Sequence, residues 1–254
     1  GGNSGYATAI NNLGQIVGAR SAMGYAPTGT GWLYSDSRGL VDLNAVYGFA
    51  VWPADLNDNG TIIGGTETLD LNTGQIGVLP PGPSNYYPIT GKLINNNGQV
   101  GGTSSMRSSS LNIVTAYRYD PGVGWKTIGG TSQYTRMASL NLGGDVGWGE
   151  LGGGVYLEGL GNYSPSSLLD SAVTAAGWSA TGSSPKINNN RLIATTGSNS
   201  QTGQSGGVLL TPNGTLPAPS APVNLRGEAH DASYVEPWNS IDLTWENTSS
   251  LTTS

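Results

Sequence analysis

The chain has 254 residues, of which 41 are glycine, none is cysteine and only 10 % are charged. Its formal net charge is −6, and its three lysines and seven arginines are scattered, so no cationic cluster exists to neutralise phosphates; nucleic acid and anionic lipid surfaces are excluded as partners. The absence of cysteine removes disulfides, thiolate chemistry and thiol-ligated zinc, and no apolar run approaches the ~20 residues that would span a bilayer, which argues against membrane insertion.

In chain order, the first organised segment is AINNLGQIVGAR (residues 9–20), two short apolar runs separated by asparagine and glycine. It is followed by GWLYSDSRGLVDL (31–43), a second pair of runs around a turn-forming tetrad. The same couple returns as DLNDNGTIIGGT (55–66) with TLDLNTGQIGVL (68–79), and as LINNNGQVGGT (93–103) with AYRYDPGVGWKTI (116–128). It returns again as SLNLGGDVGWG (139–149) with GVYLEGLGNYSPSSL (154–168), and as KINNNRLIATTG (186–197) with GVLLTPNGTL (207–216). The reference residue of each unit is Asn11, Asn57, Asn95, Asn141 and Asn188, at spacings of 46, 38, 46 and 47 residues. An apolar residue always precedes it. Glycine stands three places after it at Gly14, Gly60, Gly98 and Gly144, with Arg191 as the exception, and Ile or Val stands five places after. Asparagine bonds its own backbone and glycine takes positive φ without steric cost, so each unit reads as strand, tight turn, strand. One segment departs from this pattern: SSLLDSAVTAAGW (166–178) predicts a short helix with Leu168, Leu169, Ala172, Val173 and Ala176 on one side, ended by Gly177.

Two hairpins per repeat make four antiparallel strands, and a period of this length suits stacked repeats. The expected fold is all-β, a five-bladed β-propeller of four-stranded antiparallel blades over residues 1–216. A solenoid rung is normally shorter, and a two-sheet sandwich has no reason for a fixed period. Gly1-Gly2 matches Gly129-Gly130, which sets the start of the sequence inside a repeat, and residues 213–219 are the nearest candidate for a missing strand. Residues 217–222 read as a Pro-rich linker. Beyond it, VNLRGEA and the alternating SIDLTWEN, with Trp245, resemble the opening of a fibronectin type III domain; residues 223–254 hold only its first strands.

The stretches YATAINNLGQIVG, DLNDNGTIIGG and KLINNNGQVGG resemble the bacterial extracellular HAF-type repeat, and SLLDSAVTAAGWSATGSSPKINNNRLIATTG followed by GGVLLTP is similar to the last repeat of such proteins. The His-Ala-Phe element that names the repeat is replaced here by TAYRYD and GWLYSD. The resemblance covers residues 1–217 and implies an exported, cell-surface or matrix protein, without implying a reaction.

Candidate chemistry is sparse. His230 is the single histidine, which leaves no base for a nucleophilic triad and no imidazole set for zinc. Asp55, Asp58, Glu67, Asp70, Asp145, Glu150 and Glu158 could supply a glycosidase pair, yet they do not recur at equivalent positions. DLNDNGTI resembles the start of a calcium loop, with Asp55, Asn57, Asn59 and the Thr61 carbonyl as ligands; the twelfth position is Thr66, where a closing glutamate belongs, and a plain hairpin is the competing reading. Trp148 stands where three other repeats have Gly18, Gly64 and Gly102, and Trp125 also sits beside glycine. Both are candidates for stacking on a sugar, against the alternative that they fill space between blades. Trp32, Trp52 and Tyr119 read as core. The expected function is therefore a non-catalytic extracellular scaffold or adhesion element with a glycan or another surface component as partner. No cofactor is expected, apart from the calcium option. The alternatives are a glycan-cleaving propeller and an assembly subunit completed by strand addition.

Overall fold

In the computed structural model, residues 4–21, 30–83, 87–107, 112–149, 153–212, 223–229 and 241–246 are described. The chain divides into two compact units, Gly1–Pro212 and Asn213–Ser254.

The larger unit is a run of antiparallel sheets, each built from consecutive strands. The first holds β1 (Ser4–Ile10), β2 (Ile16–Ser21), β3 (Thr30–Ser35) and β4 (Gly39–Asp42), and is followed by helix α1 (Leu43–Tyr47). The second holds β5 (Asp55–Leu56), β6 (Thr61–Gly64), β7 (Glu67–Asp70) and β8 (Ile76–Val78). The third holds β9 (Thr90–Ile94), β10 (Val100–Arg107), β11 (Asn112–Asp120) and β12 (Gly124–Ser132). The fourth holds β13 (Met137–Leu140), β14 (Val146–Trp148), β15 (Gly154–Leu157) and β16 (Gly161–Tyr163). A 3₁₀ turn (Pro165–Leu168) and α2 (Ser171–Ala175) lead to the fifth, β17 (Trp178–Ile187), β18 (Ile193–Asn199) and β19 (Ser205–Leu210). A fourth strand after β19, expected near residues 213–216, lies outside the described residues.

The repeat is visible in the register. The residue five places after the reference asparagine pairs across to the third strand in every sheet: Ile16 with Tyr34, Ile62 with Leu69, Val100 with Tyr119, Val146 with Tyr156 and Ile193 with Leu210. In three sheets the first strand slips by one residue three places before that asparagine, at Thr8, Lys92 and Ala138. A bulge bends and twists its strand, and its recurrence marks it as part of the repeat.

Alternate residues bury themselves between successive sheets. Val17 and Leu33 of the first sheet pack with Leu56, Ile62 and Leu69 of the second, and Ile63 of the second packs with Ile94 and Val100 of the third. Ala116 and Ile128 of the third meet Val146 and Tyr156 of the fourth, while Val155 and Leu157 of the fourth meet Ile187, Ile193 and Leu210 of the fifth. The core is thus a series of sandwiched layers, each shared by two neighbours in sequence.

Two expectations need correction, and one helix is additional to them. The helix expected over 166–178 is two short pieces, because Leu169 takes extended backbone and Asp170 starts a new helix, its carboxylate accepting from Ala172 N–H. Leu168 and Leu169 pack on the fourth and fifth sheets, whereas no residue of α2 is buried. Trp52 is 41 % exposed, in the connection that enters β5, and does not belong to the core. Helix α1 was not anticipated, although its signals are in the sequence: Asp42 accepts from Asn44 and Ala45 N–H at its start, and Gly48 at φ 74° ends it. None of the described helices is long and apolar enough to cross a membrane.

In the smaller unit, β20 (Val223–Ala229) pairs antiparallel with β21 (Ile241–Glu246), Ala229 opposite Ile241, with a register shift between Val223 and Arg226. His230 lies outside the described residues.

Candidate functional site

The first turns of the five repeats come together at one end of the sheets, around a recess of about 250 Å³ whose lining includes Ile10, Asn12, Asp58, Asn96, Leu142 and Asn189. Each turn is closed by its own reference asparagine. The Oδ1 atom accepts from the backbone N–H four places on: Gln15 to Asn11, Thr61 to Asn57, Gln99 to Asn95, Asp145 to Asn141 and Leu192 to Asn188. The glycine three places on takes φ between 72° and 82°.

The amide nitrogen of the same side chain does something that turn chemistry alone does not require. Asn11 Nδ2 donates to Asn57 O at 3.1 Å, Asn57 Nδ2 to Asn95 O at 3.0 Å, Asn95 Nδ2 to Asn141 O at 2.8 Å and Asn141 Nδ2 to Asn188 O at 2.9 Å. One residue type, once per repeat, joins five turns into a ladder. The residue four places on often completes the arrangement, since Gln15, Gln99 and Asp145 accept from the same Nδ2.

A second row runs beside it. Asn12 N–H donates to Asp58 Oδ1, Asp58 N–H to Asn96 Oδ1 and Leu142 N–H to Asn189 Oδ1, at 2.8–2.9 Å. Asn59 and Asn97 reach the carbonyls of Asn96 and Leu142. A third row lies two residues before the reference position, where Asp55 Oδ2 accepts from Ile94 N–H and Ser139 Oγ accepts from Ile187 N–H.

The calcium candidates are all engaged in these rows. Asp55 also accepts from Leu56 N–H, Asn57 and Asn59 hold the third repeat, and the Thr61 carbonyl accepts from Asn57 N–H. Burial pushes the Asp55 carboxyl up to about 6, and its two backbone hydrogen bonds offset part of that shift. Asp58, by contrast, is held below the usual carboxylate range by hydrogen bonds from Asn96 and Asn12. No group of three or more His, Cys, Asp or Glu side chains converges among the described residues.

A charge cluster lies where the third, fourth and fifth sheets meet. Asp145 is 1 % exposed. It accepts from Arg191 Nε at 3.0 Å, Arg191 Nη2 at 3.1 Å, Asn141 Nδ2 at 2.8 Å and Glu158 N–H at 2.7 Å. Arg191 adopts φ 59°, the left-handed conformation that glycine takes in the other four turns. The departure from the repeat is therefore chemically coupled: the residue that strains the fifth turn neutralises the buried carboxylate of the fourth. Arg118, also buried, pairs with Asp120 at 2.8 Å and Glu158 at 2.7 Å and donates to Gly144 O. Burial raises the Glu158 carboxyl, but hydrogen bonds from Arg118 and Tyr156 outweigh it and leave the group below its ordinary range. Lys126 donates to Tyr156 Oη, which donates to Glu158 Oε2, and the Lys126 ammonium lies 4.6 Å from the Tyr156 ring centre. Reasoning from the sequence singled out Arg191 only as an irregularity; its position beside a buried acid 46 residues earlier depends on how the sheets stack.

Both candidate tryptophans sit between sheets. Trp148 packs with Ala116, Ile128, Val146 and Tyr156, and its buried Nε1–H meets no acceptor among the described residues. A Cβ placed on Gly129 of the third sheet would lie 2.6 Å from its Cζ2, so the indole lies directly on that strand. Trp125 donates to Pro80 O at 2.7 Å, packs against Ile63, Ile94 and Val100, and contacts the Tyr119 ring at 5.4 Å.

No protein-family model matches the chain, and no curated protein shows significant similarity to it.

Proposed function

We propose that the five sheets are successive blades of a propeller-type array, arranged around the recess lined by their first turns, and that this array serves as a non-catalytic scaffold or adhesion module outside the cell. The observation that carries this reading is the use of the polar side chains. The five reference asparagines, Asp55, Asp145 and Glu158 bind backbone or side-chain groups of their own and neighbouring sheets, as a load-carrying stack of repeats requires. Kinship with the HAF-type repeat and with fibronectin type III modules belongs to this proposal, and both point to an exported protein whose partner is a glycan or another surface component. Exposed rings such as Tyr6, Trp52, Tyr87 and Tyr134 offer the stacking surfaces that sugars use.

One observation favours glycan cleavage: the Asp55 carboxyl, raised to about 6, has the character of a general acid. Both of its oxygens, however, hold backbone N–H groups. The test is to incubate the full chain with a panel of polysaccharides and measure both retention and reducing ends. Retention without new reducing ends is expected. Reducing-end release that disappears in Asp55→Asn would replace the scaffold reading with the hydrolase, and absence of retention on every polysaccharide would remove glycan as the partner.

A further inference from the structure

Two rows of side chains line the recess. The first is the apolar residue before the reference asparagine, contributed by four repeats: Ile10, Leu56, Ile94 and Leu140. The second is the residue after it, contributed by all five: Asn12, Asp58, Asn96, Leu142 and Asn189. The repeat thus delivers hydrocarbon and polar groups to one place, while the asparagine between them is committed to the ladder.

The polar row binds itself in sequence. The N–H of one member donates to the side chain of the next, Asn12 to Asp58, Asp58 to Asn96 and Leu142 to Asn189. Two links of a closed row are missing. Asn96 N–H would need an oxygen on Leu142, whose side chain has none. Asn189 N–H would need Asn12 Oδ1, and that bond is not made. Among the described residues, Asn96 N–H, Asn189 N–H and Asn189 Nδ2 donate to nothing, and Asn12 Oδ1 accepts nothing. Asp58 accepts from Asn12 N–H at 2.9 Å, from Asn12 Nδ2 at 2.8 Å and from Asn96 Nδ2 at 2.8 Å. That leaves open about one of the roughly four lone-pair positions of its carboxylate.

The uncommitted groups are therefore mixed in kind: backbone and amide donors, an amide acceptor and the remainder of a carboxylate. Donors and acceptors interleaved with hydrocarbon match a ring that carries hydroxyls. Each hydroxyl donates and accepts at once, and the C–H groups of the ring lie on the apolar side chains. A phosphate or sulfate offers acceptors alone and would meet the charge of Asp58, whose carboxyl is held below its ordinary range by hydrogen bonds from Asn96 and Asn12. A calcium ion takes about six to eight oxygens, far more than Asp58 and Asn12 have free. Size narrows the choice further. The recess, about 250 Å³, falls just below the roughly 300–1,000 Å³ of pockets that enclose drug-sized molecules, so it admits one ring.

We propose that the recess binds a single uncharged sugar ring of a glycan chain. Asn189 Nδ2 and the Asn96 and Asn189 N–H groups donate to its hydroxyl oxygens, Asn12 Oδ1 and Asp58 accept from its hydroxyls, and Ile10 and Leu142 meet its C–H groups. The proposal rests on the reading of a glycan as partner. It goes beyond that reading by placing the sugar where the five first turns converge, away from the exposed aromatic rings, and by excluding acidic sugars.

The experiment titrates the full chain with glucose, galactose, mannose, N-acetylglucosamine and glucuronate, followed by saturation-transfer NMR. Saturable binding of at least one neutral sugar is expected, with a dissociation constant of roughly millimolar size for so small a ligand. Glucuronate should bind at least tenfold more weakly. Two variants locate the site. Leu142→Trp fills the recess and removes no hydrogen bond, because residue 142 bonds only through its backbone. Asn189→Asp keeps the acceptor for Leu142 N–H and replaces the free donor with a second carboxylate. Each should weaken binding at least tenfold, and Leu142→Trp should leave the urea midpoint unchanged. Undiminished binding in both variants would overturn the recess as the site and leave the glycan reading standing, with the sugar on the exposed rings. Retention on polysaccharides without binding of any neutral monosaccharide would do the same. Failure of both retention and monosaccharide binding would remove the glycan reading together with the proposal.

Discussion

The third and fifth turns start from the same asparagine and part company three residues later. At Gly98 the chain passes through φ 73° with no side chain to accommodate; at Arg191 it passes through φ 59° with the longest cation available. An isolated arginine in that conformation costs about 1–2 kcal/mol. The difference is what the preceding repeat presents. Four places after its reference asparagine the fourth repeat has Asp145, buried, while the second repeat has Thr61 at that position. Glycine at this position is a local requirement of the turn, and a neighbouring sheet can override it by supplying a carboxylate that would otherwise be buried unpaired.

Removing the carboxylate should break the comparison most severely. Asp145→Ala leaves Arg191, Glu158 N–H and part of Asn141 without their acceptor, and the expected loss is about 3–5 kcal/mol in urea denaturation. Asn95→Ala removes an inter-sheet donor and an acceptor of two backbone N–H groups from a buried site, for an expected loss of about 2–4 kcal/mol. Asn188→Ala, exposed and holding only its own turn, should cost about 1 kcal/mol. Equal losses at residues 95 and 188 would show that the ladder contributes nothing beyond turn closure.

Asp55 sharpens the comparison through pH. Its folded pKa of about 6 lies above its ordinary value of 3.8, so the folded state binds the proton more tightly. That contribution is complete below pH 4 and is lost as pH rises through 6, amounting to about 3 kcal/mol at most for a shift of this size. Urea unfolding of the unmodified chain and of Asp55→Asn from pH 4 to pH 7 should diverge in that window, with the slope absent from the variant. A small effect is also expected of the reciprocal substitution, Arg191→Gly. It relieves the backbone but leaves the buried Asp145 carboxylate without its cation, for a net loss of about 1–2 kcal/mol. A stabilised variant would mean that the ion pair does not offset the strain.

Much of the strand pattern could be read from the sequence, because alternation and turn chemistry are local. The reference asparagines, the glycines beyond the first four of them and the second hairpins of the first four repeats fall where the residues indicate. Helix α1 is equally local, with Asp42 and Gly48 in place, but the five residues between those caps are too few to show a helical period. The candidate site was less legible. Trp148 looked like a platform because three repeats have glycine there, yet Gly129 of the preceding sheet lies against it. The second function of the asparagines, like the pairing of Arg191 with Asp145, requires knowing that residues 38 to 47 apart in sequence touch. Spacing alone gives the period of such contacts without saying which atoms make them.

The Arg191–Asp145 pair has a consequence for how the gene can change. Arrays of similar units are readily shortened, lengthened and shuffled by recombination, and the first three of these turns, each self-closed and carrying glycine, are nearly interchangeable. The fifth is not. Moved to any position that does not follow the fourth, it would bring a strained cation with no anion to meet, and the fourth moved away from it would bury a bare carboxylate. The pair therefore acts as a lock on order, tying these two units into a single inheritable block inside an otherwise modular chain.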